Sequence, residues 1–128
     1  MSTPKPENTS FLRIVPRFSV NNLDLALTFY GKLGFKTTYN DGTFIILSRD
    51  GVELHMHYSP DDPPSRSVWW IEVTNIEDLH KKCLQHIVPK DMSQKVTIQP
   101  WGFKEFFIRD PFCTLILFDE KIQNQPST

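Results

Sequence analysis

Apolar and polar residues alternate with two different periods along this chain, and the switches between them mark its elements. Phe11 to Val20 reads as a first strand. Leu23, Leu25, Ala26, Leu27, Phe29, Tyr30 and Leu33 then form a helical stripe. Asn21 or Asn22 is placed to cap that helix and Gly34 to end it. Phe35 to Tyr39 is a second strand, Asn40-Asp41-Gly42 a hairpin turn, and Thr43 to Ser48 a third strand. Arg49-Asp50-Gly51 turns the chain into a fourth strand, Val52 to Tyr58. Ser59 to Arg66 carries three prolines and two aspartates and is a loop.

After that loop the pattern restarts. Ser67 to Val73 is a strand. Asn75 caps a helix through Ile76, Leu79, Cys83, Leu84 and Ile87. Lys95 to Gln99, Phe103 to Arg109 and Thr114 to Asp119 are three more strands. Each half is therefore strand, helix, strand, strand, strand. Val20-Asn21-Asn22-Leu23-Asp24 lies over Val73-Thr74-Asn75-Ile76-Glu77 at a constant offset of 53. Such a period marks a duplicated unit that cannot bury its sheet face alone. The expected fold class is α+β, two tandem βαβββ modules forming a curved mixed sheet. One domain spans 11–120, with module one at 11–58 and module two at 67–120; 1–10 and 121–128 are expected to be flexible tails.

Composition narrows the function. Lys and Arg number 14 against 15 Asp and Glu, a net charge of −1, so there is no basic stripe for nucleic acid. No apolar run is long enough to span a membrane, and Met1 to Thr9 lacks the apolar core of a signal peptide. Cys83 and Cys113 have neither metal nor redox spacing and read as free thiols of a cytoplasmic protein.

The candidate chemistry centres on residues 100–111. Pro100 fixes φ and Gly102 frees it, so Trp101 sits on a backbone corner. Beyond it Phe103, Glu105, Phe107 and Arg109 face one way, and Lys104, Phe106 and Ile108 the other. A Trp on a turn at the mouth of a sheet suits stacking on a flat ligand. Trp69 and Trp70 face opposite sides of their strand, one buried and one open. Glu53, His55 and His57 share a strand face, but same-face neighbours stand about 6–7 Å apart, which suits a polar wall better than a metal triad. His80 and His86, six apart on the second helix, are expected to be solvated.

The two modules, with Val15-Pro16, Phe29-Tyr30, Leu33-Gly34-Phe35, Trp69-Trp70-Ile71-Glu72-Val73, Ile76-Glu77-Asp78-Leu79 and Pro100-Trp101-Gly102 followed by Glu105-Phe106 and Arg109-Asp110-Pro111, resemble the vicinal oxygen chelate (glyoxalase/bleomycin resistance) superfamily. Within it the likeness is greatest to the bleomycin-binding resistance proteins. One position departs: Cys113 stands where the family usually has glycine, which predicts a different turn there, because cysteine tolerates positive φ poorly.

The resemblance carries further expectations. The superfamily's enzymes hold a divalent metal with four side chains, and the matching positions are Val15, Val68, Glu53 and Leu117. Three of these are apolar and donate no lone pair, so the expectation is no metal, no cofactor and no catalysis. The implied ligand site is aromatic. Trp101 stacks on the ligand, Tyr39 and Phe44 form the opposing wall, Trp70 supplies the floor, and Gly102 and Phe103 complete the corner. The implied function is sequestration of a planar glycopeptide antibiotic of the bleomycin type by a homodimer that swaps a strand or module, with Pro16 at the hinge. The alternatives are a binder of another aromatic natural product or metabolite, and a metal-dependent lyase or dioxygenase using Glu53, His55 or His57. The near-neutral charge offers little long-range attraction to a cationic drug.

Overall fold

A computed structural model describes residues 8–123 of the protein. Module one comprises β1 (Arg17–Val20), α1 (Leu23–Lys32), β2 (Lys36–Asn40), β3 (Phe44–Arg49) and β4 (Val52–Tyr58). Module two repeats the order with β5 (Val68–Glu72), α2 (Ile76–Leu84), a single 3₁₀ turn (Pro89–Asp91), β6 (Thr97–Gln99), β7 (Phe103–Arg109) and β8 (Leu115–Lys121). The expected sheet divides in two, ordered β1-β4-β3-β2 and β5-β8-β7-β6. In each, the first strand runs parallel to the last and the other pairings are antiparallel. The duplication read from the sequence is thus a duplication of topology. Residues 1–7 of the first expected tail and 124–128 of the second lie outside the described residues; β8 runs through Lys121.

Period two decides which face is buried. On β4, Leu54 and Met56 point into the core; on β7, Phe106 and Ile108 do. The helices cover that side: the His80 ring of α2 meets Phe106 edge-on at 4.9 Å between centroids. The opposite, open faces carry Glu53, His55 and His57 on one sheet and Phe103, Glu105 and Phe107 on the other, all half-buried. One hydrophobic core joins the modules. At the junction Trp69 packs edge-on against Phe18 at 4.8 Å, and the hydroxyl of Tyr30 on α1 donates to Asp110 of module two at 2.6 Å.

The caps differ between the helices. Asn22 Oδ1 accepts from the Leu25 amide at 3.0 Å, an ordinary side-chain N-cap. Asn75 does not cap with its side chain; it sits at φ 53° in the left-handed region. The Glu120 carboxylate instead accepts from the Asn75 and Ile76 amides at 3.2 and 3.0 Å. An anion from β8 thereby occupies the positive end of α2. That helix stops at Leu84, short of Ile87, because the amides of His86 and Ile87 both turn back to the Cys83 carbonyl.

Two further expectations are corrected. The first strand begins at Arg17 rather than Phe11, since Phe11, Leu12 and Ile14 are almost fully exposed among the described residues. The turn after β7 keeps the glycine conformation: Cys113 adopts φ 66°. The Asp110 carboxylate enforces this, because its Oδ1 accepts from both the Phe112 and Thr114 amides at 2.8 and 2.7 Å. The side chain there is strained, so Cys113→Gly is expected to stabilise the fold by about 1 kcal/mol. A higher urea midpoint with unchanged slope is the readout. Both cysteines are free, and burial pushes the Cys83 thiol up to about 11.

Candidate functional site

The open face of sheet one is an aromatic and polar wall. Tyr39 and Phe44 stand on either side of the β2–β3 hairpin, their ring centroids 6.2 Å apart. The hairpin is held by its own side chains: Asn40 accepts from the Gly42 amide at 2.8 Å, and Asp41 from the Thr43 and Phe44 amides at 2.9 and 2.8 Å. Those amide bonds keep the Asp41 carboxyl below its usual range, helped by the Tyr39 hydroxyl at 2.9 Å. The far edge of Phe44 meets His55 at 5.1 Å, and the Arg17 guanidinium lies 5.1 Å above the Phe44 ring. The half-buried Phe44 ring thus has a cation over one face and an imidazole at close range.

The Glu53, His55 and His57 row is divided. Glu53 pairs with His55 Nε2 at 2.8 Å and with Arg13 at 3.2 Å. His57 lies across from Phe44, and its Nδ1 is buried without a partner among the described residues. No three metal-binding side chains converge among those residues. The remaining positions carried over from the metal enzymes are apolar: Val68 and Leu117 lie on the open face of sheet two, and Val15 precedes β1.

On sheet two, Trp70 and Phe103 meet edge-on with ring centroids 5.4 Å apart. Trp70 is 50% exposed, while Trp69 on the other side of the strand is half-buried at the module junction. The Trp101 corner forms as the Pro–Trp–Gly spacing requires. Gly102 sits at φ 92°, its amide donates to Gln99 at 3.1 Å, and its carbonyl accepts from Ile122 at 3.0 Å. Trp101 itself is 62% exposed and has no aromatic neighbour among the described residues. The six expected ligand residues therefore fall into two groups on two sheets: Tyr39 with Phe44, and Trp70 with Phe103 beside the Trp101–Gly102 corner.

Two open hollows lie elsewhere. One of about 620 Å³ is lined by the β3–β4 turn, the start of α2 and the end of β8; one of about 380 Å³ lies between α1 and α2. None of the six aromatic-site residues lines either.

Sequence reasoning misplaced one histidine and missed one acid. His80 is buried, not solvated, with Nε2 3.0 Å from the Ser93 carbonyl. Ile76, His80 and Cys83 stand at i, i+4 and i+7, the stripe that faces the core, so the spacing carried the signal. His86 is exposed. Asp119 is fully buried on the open face of sheet two, in register with Glu105 on one side and Glu72 on the other. No helix among the described residues is long and apolar enough to cross a membrane.

Known structures share this architecture. The bleomycin resistance determinant encoded on transposon Tn5 superposes with a TM-score of 0.76 at 21% identity, over 88% of this chain and 100% of that one. The bleomycin-binding protein of Streptomyces verticillus, complexed with copper(II)-bleomycin, gives 0.66 at 24% identity, over 86% and 96%. A glyoxalase-related enzyme from Clostridium phytofermentans gives 0.73 at 19% identity, over 91% and 100%. No curated protein sequence matches significantly. The family model described as Glyoxalase/Bleomycin resistance protein/Dioxygenase superfamily matches residues 12–118, and the chain belongs to that superfamily.

Proposed function

We propose that this protein is a metal-free binder that sequesters a planar, cationic antibiotic of the bleomycin type in the cytoplasm, without catalysis. The observation that carries the reading is a substitution of chemistry on the open faces. Where the superfamily's enzymes place metal ligands, this chain has Val15, Val68 and Leu117, and beside Leu117 in register stands Trp70, paired with Phe103. Stacked rings hold a flat heteroaromatic ligand; apolar side chains hold no metal.

The site is completed by a second copy of the chain. Tyr39 with Phe44 and Trp70 with Phe103 are walls of two separate sheets, each open to solvent. Phe11, Leu12 and Ile14, at 99%, 89% and 96% exposure, are the apolar segment that a partner covers, with Pro16 as the hinge.

Titration with metal-free and copper-bound bleomycin, followed by tryptophan fluorescence and sedimentation, tests both statements. Saturable quenching at one ligand per chain, on a protein that sediments as a dimer, is the expected result. Silence from both forms of the drug sinks the bleomycin assignment in favour of another aromatic ligand, and a monomer sinks the two-chain site.

A further inference from the structure

We infer that the Glu105–Asp119 carboxyl pair on the open face of sheet two is a subsite for an organic cation, an amidinium, guanidinium or ammonium group, received beside the Trp70 and Phe103 rings. The inference rests on the reading that this face meets the ligand. It adds which chemical group is recognised there, and by what.

The strand register builds the subsite. Asp119 on β8 pairs with Glu105 on β7 and with Glu72 on β5, so three acids cross the sheet in one row. Trp70 is level with Leu117 and Phe103 with Lys121. A line between those rings crosses β8 at Asp119, and the rings meet at 5.4 Å. Asp119 has no exposed surface in the free chain.

Asp119 is also unsatisfied. With both carboxyls ionised, neither of its oxygens has a hydrogen-bond partner among the described residues. A buried anion left that way is costly, and a donor must come from somewhere. A proton on Glu105 supplies one. Burial first, then the hydrogen bond and the negative charge of Asp119, push the Glu105 carboxyl up to about 7. The other charged groups on this face are Glu72 from β5, Lys121 on β8 and Arg109 on β7; β6 brings only Thr97 and Gln99. An N–H cation can take the place of the Glu105 proton between the two carboxyls. It donates to both carboxylates, the Glu105 proton leaves to solvent, and the Trp70 face adds cation–π attraction. A hard divalent ion fits less well, since it seeks six or more oxygens and the pair offers four.

The probe is benzamidinium, a flat aromatic cation, titrated calorimetrically into the whole chain in two buffers of different protonation enthalpy. One proton is expected to leave per cation bound below pH 7, and none above it. Affinity is expected to fall roughly tenfold per pH unit below that point. Glu105→Gln is expected to bind more weakly and release no proton. Carboxyl carbon shifts of the free protein, followed against pH, are expected to titrate near neutrality. The absence of saturable binding, binding without proton release below pH 7, an unaltered Glu105→Gln variant, or acids that all titrate in the ordinary range would each overturn the proposal. Bleomycin binding that Glu105→Gln leaves intact sinks this subsite alone. Proton-linked benzamidinium binding without bleomycin binding sinks only the antibiotic assignment.

Discussion

Tyr30→Ala is expected to cost about 4 kcal/mol of stability, with Tyr30→Phe costing about 2. Tyr30 has no exposed surface and packs against Phe18, Phe29, Phe35 and Trp69. Alanine removes that ring and leaves a cavity at the seam between modules. Phenylalanine keeps the packing but takes the donor 2.6 Å from the buried Asp110 carboxylate. Asp110 then retains only the Phe112 and Thr114 amides on its other oxygen. Urea unfolding of both variants separates the ring from the hydroxyl, and equal losses would refute the split.

The same bond has a pH signature. Burial, reinforced by Asp110, raises the Tyr30 pKa well above its ordinary 10.0. The neutral hydroxyl is the form the fold prefers. Its contribution is therefore complete below the unfolded value and lost as pH rises through the folded one. Wild-type stability should decline above pH 10 more steeply than that of Tyr30→Phe, and parallel curves would count against the assignment.

Trp101→Ala is expected to weaken bleomycin binding about 100-fold, the size of a binding hot spot, with little effect on unfolding. The two readouts separate because the indole is 62% exposed and has no ring contact in the described chain. Its place is fixed by the backbone through Gly102 at φ 92° and the Gly102–Gln99 and Ile122–Gly102 hydrogen bonds, which the substitution leaves intact. Trp101→Phe should recover part of the loss, since a smaller face still stacks. Full affinity in the alanine variant would move the ligand away from this corner.

Local rules carried much of the architecture. The period-two runs of β4 and β7 announce which side chains meet the core, because a strand's faces alternate by covalent geometry alone. The Asn22 cap, the Asn40-Asp41-Gly42 hairpin and the Trp101 corner are decided within four residues of chain, so they are legible before any folding. The repeat at an offset of 53 is legible for the same reason. Phe11 to Ile14 misleads because it has the alternation of a strand but pairs with no strand among the described residues.

Two copies of one module, most of the residues on each open face, and apolar side chains at Val15, Val68 and Leu117 are written in the sequence alone. How those pieces complete one another is settled by contacts between distant segments. Glu120 caps a helix whose first turn is 44 residues away, Tyr30 bonds an aspartate 80 residues away, and Asp110 holds Cys113 in a conformation its own side chain disfavours. The acid row of Glu72, Asp119 and Glu105 exists only through the register of three strands. Such partners are set by packing between distant segments, where burial raises the cost of an unmet polar group and no local spacing encodes who meets it.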